Sequence, residues 1–313
     1  MIAPLAAALA TAARYGTWLM AGGLVAGFAA PALAGTFRPW LLHAIVVILA
    51  VAMLRLDVAR IRAFSRRPLA IAAIVAVNLV ASPLVAWAVL QAVPAPVPIV
   101  QGVVLMAAAP MVTSAIAIAA ILGLDSALAV CVLVASYAIV PVTLPALSLW
   151  LIGLDLGVGF VELFSRLFST IALPAAIAFV LRRWVLAPGS LARHGRAIDG
   201  IGIVAIALFC VGIMDGLRDF VVERPDTALA TLGAAVAANV GLQAFGALVF
   251  LRLGRREALT VGLITGNSNL GLILVTLGDK ASPELVAFFV LGQVPMYFLP
   301  VFALPLYRRL LPP

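Results

Sequence analysis

The sequence contains few charged residues, few cysteines and few histidines. Only 10% of its 313 residues are charged, and it has two cysteines and two histidines. Because soluble domains are about one quarter charged, this composition excludes an ordinary water-soluble domain. The scarcity of histidine, and the lack of His-Glu-x-x-His and Gly-x-Ser-x-Gly motifs, argue against an intramembrane metalloprotease or serine hydrolase. We therefore expect the protein not to be an enzyme.

The cysteines and the net charge of +8 have simple explanations. Cys131 and Cys210 lie within apolar runs and form neither a metal-ligand spacing nor a disulfide framework, so we interpret them as packing residues. The basic residues occur in short clusters between apolar segments instead of along one exposed face. This pattern argues against nucleic acid as a partner. We expect no cofactor.

Long apolar runs dominate the chain. Hydrophobic residues make up 65% of it, and the mean hydropathy is +1.23. Since the bilayer core requires about 20 apolar residues per helix, the sequence predicts an all-α polytopic membrane protein with ten transmembrane helices. The predicted spans are residues 15–33, 41–54, 69–92, 97–122, 126–152, 163–181, 198–214, 227–251, 258–277 and 284–306.

The basic residues give these spans an orientation. With a cytoplasmic N-terminus, fifteen of the twenty basic residues fall on the cytoplasmic side, as the positive-inside rule requires. They are Arg14, Arg55, Arg60, Arg62, Arg66, Arg67, Arg182, Arg183, Arg193, Arg196, Arg252, Arg255, Arg256, Arg308 and Arg309. The sequence therefore predicts a multi-pass protein of the cytoplasmic membrane with both termini in the cytoplasm.

The two halves of the chain resemble each other. Pro68 leads into a span that contains Asn78, and Pro225 leads into a span that contains Asn239, an offset of 157 to 161 residues. Because each copy has five spans, an odd number, the second copy must enter the membrane from the opposite side. The pattern is typical of inverted repeats in alternating-access carriers. We place the two five-helix repeats at residues 1–153 and 154–313.

Each repeat also contains one polar interruption of a long apolar stretch, at residues 109–114 and 265–269. Unpaired backbone groups are costly in hydrocarbon, so a broken helix persists only where it lines a buried or ligand-filled cavity. Matched broken helices are a sequence indicator of a transporter's binding site. We expect Pro110 to end the first helix, and Thr113 and Ser114 to cap the half-helix that follows.

The polar residues at and near the interruptions are the candidate solute ligands. They are Thr113, Ser114, Asn267, Ser268, Asn269 and Gln293. Two other interpretations remain open: a back-bonded kink for Thr113 and Ser114, and interhelical ties for the Asn-Ser-Asn cluster. Asn239 and Gln243 likewise either face the cavity or tie helices together. Free amides at the N-termini of half-helices favour an anionic solute, whereas carbonyls at their C-termini favour a cation.

These motifs resemble those of the bile acid sodium symporter family. Residues 110–116 and 124–130 are similar to the family's fourth-span crossover, residues 78–83 to its third-span Gln-x-x-x-x-Pro segment, and residues 267–271 to its ninth-span crossover. The resemblance implies that helices 4 and 9 are broken and cross each other. It also implies a core domain of spans 3–5 and 8–10, a panel domain of spans 1, 2, 6 and 7, and a ligand cavity between the two domains near the crossovers.

The functional implication of the resemblance is a sodium-coupled carrier of a small amphipathic organic anion in a lipid bilayer. The implied ion ligands are Asn78, Thr265, Asn267 and Ser268. The sequence leaves the identity of the solute open, and also the oligomeric state, which is a monomer or an unknown oligomer.

Some positions depart from the family pattern. Ala115 and Ile116 stand where the family has a Ser-Asn pair, and Ile264 or Thr265 stands where it has a glutamate. Because a hard cation such as sodium prefers oxygen ligands, these changes weaken or remove at least one sodium site. The alternative hypothesis is a sodium-independent carrier on the same fold, either proton-coupled or facilitative.

Overall fold

The computed structural model describes residues 2–56, 67–153, 159–186 and 189–311. Over these residues the regular structure is helical, apart from one isolated β-bridge. Within these described ranges, seven helical segments are long and apolar enough to cross a membrane. They are Pro31–Leu54, Pro68–Gln91, Ser126–Ile152, Phe160–Val185, Gly195–Glu223, Pro225–Val249 and Pro283–Tyr307. This composition and helix content fit the all-α polytopic membrane protein that the sequence predicts.

The α-helices follow one another along the whole described chain. In order they are α1 (Ile2–Arg14), α2 (Gly16–Ala29), α3 (Pro31–Phe37), α4 (Leu41–Leu54), α5 (Pro68–Ala76), α6 (Ser82–Gln91), α7 (Val97–Ala108), α8 (Ala115–Ile121), α9 (Ser126–Ile152), α10 (Phe160–Val180), α11 (Ser190–Arg193), α12 (Gly195–Gly212), α13 (Leu217–Glu223), α14 (Pro225–Val249), α15 (Arg255–Gly266), α16 (Leu270–Leu277), α17 (Pro283–Leu291) and α18 (Gln293–Leu310). Short 3₁₀ turns occur at Arg38–Trp40, Leu251–Leu253 and Gly278–Lys280, and π turns at Val77–Ala81 and Leu181–Val185.

The first of two compact units combines Met1–Leu56 with Phe168–Arg224. Helix α12 lies at its centre and packs against α1, α2, α3 and α4. Glycines on these helices lie directly against neighbouring backbone: a Cβ on Gly23 would come within 2.8 Å of the Ala207 carbonyl oxygen. Close approach through small residues is typical of helix packing in membranes, where apolar side chains gain little from leaving lipid.

The N-terminal part of this unit differs from the sequence prediction in two ways. Helix α1 precedes the first predicted span, and the predicted span 41–54 is preceded by α3 and a 3₁₀ turn, so that the apolar helical segment begins at Pro31. Ala30 has a ψ of 81°, because the residue before a proline avoids the α conformation. That residue ends α2 and separates it from the longer segment.

The second compact unit combines Asp57–Leu167 with Pro225–Pro313. Helix α7 packs against α6, α9, α14 and α17, and α14 packs along α15. Glycines allow α7 and α15 to pack closely. A Cβ added to Gly102 would overlap the ring of Phe288, and a Cβ added to Gly262 would lie 2.6 Å from the Gln243 carbonyl oxygen. This unit contains every candidate site residue that the sequence predicts.

Some predicted features lie outside the described residues. They include Arg60, Arg62 and Arg66 of the predicted cytoplasmic face, and residues 154–158 at the predicted start of the second repeat. The repeat boundary and the predicted core and panel assignment stay predictions.

Candidate functional site

Two apolar stretches of the second unit are interrupted at the predicted places. Helix α7 ends at Ala108 and α8 begins at Ala115, while α15 ends at Gly266 and α16 begins at Leu270. Pro110 cannot donate a backbone hydrogen bond, and Ala109 already has an extended backbone with ψ of 149°. We call residues 109–114 the first crossover and residues 267–269 the second crossover.

The two crossovers are joined by their backbones. Met111 and Ser268 form an isolated antiparallel bridge. On one side of it the Val112 N–H donates to the Asn267 carbonyl oxygen at 2.8 Å, and on the other the Asn269 N–H donates to the Pro110 carbonyl oxygen at 2.7 Å. Each crossover therefore satisfies two backbone groups of the other, which is what non-helical backbone within an apolar interior requires.

Matching positions in the two halves are separated by a constant offset of 157 residues. Pro68 and Pro225 begin α5 and α14, and 225 − 68 = 157. The bridged pair gives the same difference, 268 − 111 = 157. The N-caps Asp125 of α9 and Ser282 of α17 again differ by 282 − 125 = 157, and both accept backbone amides with their side chains.

Asn269 is the N-cap of α16 and also ties that helix to α9. Its Oδ1 accepts the Leu272 N–H at 3.0 Å, and its Nδ2 donates to the Tyr137 hydroxyl oxygen at 2.7 Å. All three groups are buried. The interhelical tie, one of the two interpretations that the sequence allowed for this cluster, thus describes Asn269. Tyr137 is a partner that sequence reasoning missed, since an aromatic residue in an apolar helix gives no signal of a polar role.

Asn239 and Gln243 form the middle of a second hydrogen-bond chain. The Tyr307 hydroxyl donates to Gln243 Oε1 at 3.3 Å, Gln243 Nε2 donates to Asn239 Oδ1 at 2.6 Å, and Asn239 Nδ2 donates to the Gly266 carbonyl oxygen at 2.7 Å. The chain runs from α18, across α14, to the last residue of α15. Asn239 therefore ties helices together, and Tyr307 is a further member that the sequence did not indicate.

Several predicted ligands are buried without a hydrogen-bond partner among the described residues. At the crossovers they are Ser114 Oγ, Asn267 Oδ1 and Ser268 Oγ. Asn78 lies on the π turn Val77–Ala81, and neither atom of its side-chain amide has a partner. Because a buried unpaired polar group costs about 1–3 kcal/mol, each of these groups indicates a place that a polar ligand or water fills.

The expected capping of α8 by Ser114 is wrong. Ser114 occupies the N-cap position, but its φ and ψ of −64° and −21° are already helical, and its side chain accepts no capping hydrogen bond. An N-cap oxygen normally reaches the amides of the first turn from an extended backbone. The back-bonded kink is also wrong for Ser114, because its hydroxyl has no partner among the described residues. That hydroxyl is available to a ligand.

Thr265 and Gln293 are two further predicted ligands. The Thr265 hydroxyl is fully buried, donates to the Val261 carbonyl oxygen at 2.8 Å and packs under Gly246. Gln293 is half-buried and begins α18. The residue before it, Gly292, packs against Leu270 at the start of α16. Their predicted roles as an ion ligand and a solute ligand stay predictions.

The chemistry that this site offers is neutral. Residues 105–118 and 262–273 contain no charged side chain, and the described residues show no group of three or more His, Cys, Asp or Glu that could hold a metal ion. Recognition therefore depends on hydroxyl and amide groups and on the ends of the half-helices. The N-terminus of α16 carries a partial positive charge and the C-terminus of α15 a partial negative one.

The sequence comparison identifies the family. Residues 42–224, which are more than half of the chain, match the sodium bile acid symporter family. The chain belongs to this family. The resemblance read from the crossover motifs is thereby confirmed, and membership makes the protein a symporter-type membrane transporter of a small-molecule solute. The matched range contains the first crossover and ends before the second. No curated protein is similar enough to this chain to be matched.

Proposed function

We propose that the protein is a secondary transporter that moves a small, anionic, amphipathic organic solute across the cytoplasmic membrane by alternating access. The observation that carries this proposal is the joining of the two crossovers beside unpaired polar atoms of Ser114, Asn267 and Ser268. The partial positive charge at the N-terminus of α16 favours a negative group on the solute. The apolar, uncharged surroundings favour a solute that is otherwise hydrophobic.

The architecture that we propose is ten spans in two inverted five-helix repeats, residues 1–153 and 154–313. The seven long apolar segments, together with α2 and the two broken spans α7–α8 and α15–α16, make ten. The bridge supports the inversion, because the offset of 157 residues converts one of its two flanking hydrogen bonds into the other. The offset relates residue 112 to 269 and residue 110 to 267, so the bond from 112 to 267 corresponds to the bond from 269 to 110. A reciprocal pair of this kind is expected at a pseudo-two-fold axis.

For the coupling ion we propose sodium. The unpaired oxygens of Asn78, Ser114, Asn267 and Ser268 are hard, neutral ligands of the type that sodium prefers. A specific observation favours the sodium-independent alternative: Ala115, Ile116 and Ile264 carry no side-chain oxygen. The two candidates differ only in whether uptake follows a sodium gradient.

Uptake by the purified protein in liposomes tests both candidates. With cholate as the probe, we expect saturable uptake above that of protein-free liposomes, driven further by an inward sodium gradient and reduced when potassium replaces sodium at constant ionic strength. Equal uptake in the two salts would select the sodium-independent carrier. The absence of cholate uptake in both salts, together with no thermal stabilisation by cholate, hexanoate or benzoate, would contradict the proposed function.

Ser268→Ala tests whether the transported solute binds at the crossovers. Because the Ser268 hydroxyl has no internal partner, its removal should leave the melting temperature unchanged. A lost hydrogen bond to a charged ligand, about 1.5–3 kcal/mol, should lower uptake about tenfold or more. The control is Thr276→Val: that buried hydroxyl donates to the Leu272 carbonyl oxygen within α16, so the change should lower the melting temperature and leave uptake intact. Full uptake by Ser268→Ala would exclude a ligand role for this hydroxyl.

A further inference from the structure

Two of the last four carbonyl oxygens of α15 accept side-chain amides. The Leu263 carbonyl oxygen accepts both the backbone N–H and the Nδ2 of Asn267, at 3.1 and 2.8 Å. The carbonyl oxygen of Gly266, the last residue of the helix, accepts Asn239 Nδ2 at 2.7 Å. These carbonyls form the negative end of the helix dipole, where a cation would otherwise be favoured.

The amide of Asn239 is held in one orientation by the chain behind it. Gln243 Nε2 donates to Asn239 Oδ1 at 2.6 Å, and Gln243 Oε1 in turn accepts the Tyr307 hydroxyl. All three bonds point the same way, with each hydrogen directed toward Gly266. Aligned hydrogen bonds polarise one another in a low-dielectric interior. The chain therefore presents the positive edge of an amide to the Gly266 carbonyl oxygen.

The backbone is shaped to permit this contact. A Cβ on Gly266 would collide with Gln243 Cγ and would lie 2.7 Å from the Asn239 carbonyl oxygen. Only glycine lets α14 and α15 approach closely enough at this point. Asn239 itself is fully buried, so no competing water satisfies its amide from solvent.

The amide in the other half behaves differently. Asn78 has no partner for its Nδ2 or its Oδ1 among the described residues, whereas both amide atoms of Asn239 are bonded. The residue 157 positions before Asn239 is Ser82, the first residue of α6, whose hydroxyl donates to the carbonyl oxygen of Val77 in the preceding π turn. The two halves thus have matching backbone positions, but the side-chain amide of Asn78 in the first half is unpaired whereas that of Asn239 in the second half is hydrogen-bonded.

We propose that the side-chain amide of Asn239 takes the place of a cation at the Gly266 carbonyl oxygen, the last of α15, so that this carbonyl is not an ion ligand. The inference rests on the proposed transport site but concerns a different point, namely which atoms remain for an ion. Gln243 and Tyr307 are positioning residues, because they act on the carbonyl only through Asn239. Any coupling ion must then use the unpaired oxygens and cannot use the Gly266 carbonyl.

Asn239→Asp tests the replacement directly. The carboxylate has the same shape but places an oxygen against the Gly266 carbonyl oxygen, and two oxygens in contact require a cation or a proton between them. We expect the purified variant to melt at a lower temperature than the wild type in potassium. Sodium at 100 mM and pH 9 should raise its melting temperature by about 3 °C or more beyond the wild-type sodium effect. At pH 6 this excess should shrink, because a proton can replace the cation.

The matched control is Asn269→Asp, which makes the same change of charge at the N-terminus of α16, where the Leu272 N–H and the Tyr137 hydroxyl can both donate to the carboxylate. It should show no sodium excess. If Asn239→Asp is not stable enough to purify, Asn239→Ser serves, because its shorter side chain frees the Gly266 carbonyl and contributes a hydroxyl oxygen. No sodium excess in the Asn239 variant, or an equal excess in Asn269→Asp, would overturn the proposal. Since melting requires no transport, either result is independent of cholate uptake.

Discussion

At the scale of single residues, the bond between Asn269 and Tyr137 fixes the second crossover to α9. The two atoms lie 2.7 Å apart and both residues are buried. Tyr137→Phe should leave Asn269 Nδ2 without an acceptor and destabilise the protein by about 1–3 kcal/mol. In a double-mutant cycle with Asn269→Ala, measured by denaturation in detergent, we expect a coupling between about 0.6 and 1.7 kcal/mol, the average and the maximum measured for interhelical bonds in a membrane protein. Strictly additive losses would show that the bond contributes nothing to stability.

Whether the sequence predicts a residue of the site depends on how far along the chain its hydrogen-bond partner lies. Asn267, Ser268 and Asn269 are predictable, since polar residues in an apolar run are costly unless they serve a break. Their partners are not: Tyr137 is 132 residues away from Asn269, and no periodicity links the two. Tyr307 is equally hidden, because its aromatic ring packs in an apolar cluster with Leu122 and Leu263 while its hydroxyl reaches Gln243.

At the scale of helices, one glycine controls how closely α7 and α17 pack. An added Cβ on Gly102 would overlap the ring of Phe288, which is fully buried. Gly102→Ala should therefore cost about 1–3 kcal/mol through overpacking, seen as a lower melting temperature in detergent. Phe288→Leu in the same chain should recover part of the loss. The control, Gly241→Ala on α14, has no atom within 4 Å of its Cβ and should be neutral or stabilising, up to about 1 kcal/mol, because alanine favours the helix. Equal melting of the two alanine variants would contradict the close packing.

The helix bounds show which local signals decide an element. Pro110 and Gly266 mark both breaks in the sequence, and the structure interrupts helices there. The start of α8 is less predictable: hydroxyl residues suggest a cap at Thr113, but the backbone of Ser114 is already helical, since the bridge at Met111 fixes where the chain leaves the crossover. The span begins early, at Pro31, because the residue before a proline avoids the α conformation and a new helix starts at the proline. Counting apolar residues alone does not reveal this boundary.

At the scale of the whole molecule, the broken spans determine the topology. In the proposed architecture three spans separate Arg193 from Lys280: the segment Gly195–Glu223, α14, and the pair α15–α16. If the broken pair crosses the membrane, the two residues lie on opposite faces; if it enters and returns on the same side, they share a face. The positive-inside rule predicts a cytoplasmic position for the arginine-rich loop around Arg193. We therefore expect Lys280 on the outer face.

Cysteine labelling in intact cells decides between these topologies. Arg193→Cys and Lys280→Cys remove the same charge from two exposed positions, in a background with Cys131→Ala and Cys210→Ala because both native cysteines are free and buried. A membrane-impermeant maleimide should label the cysteine at 280 from outside, and the one at 193 only after permeabilisation. Labelling of both from the same side would mean an even number of crossings between them, and the inverted repeat would fail. Labelling of 193 alone from outside would keep the crossings but reverse the orientation, since the arginines would then lie on the outer face.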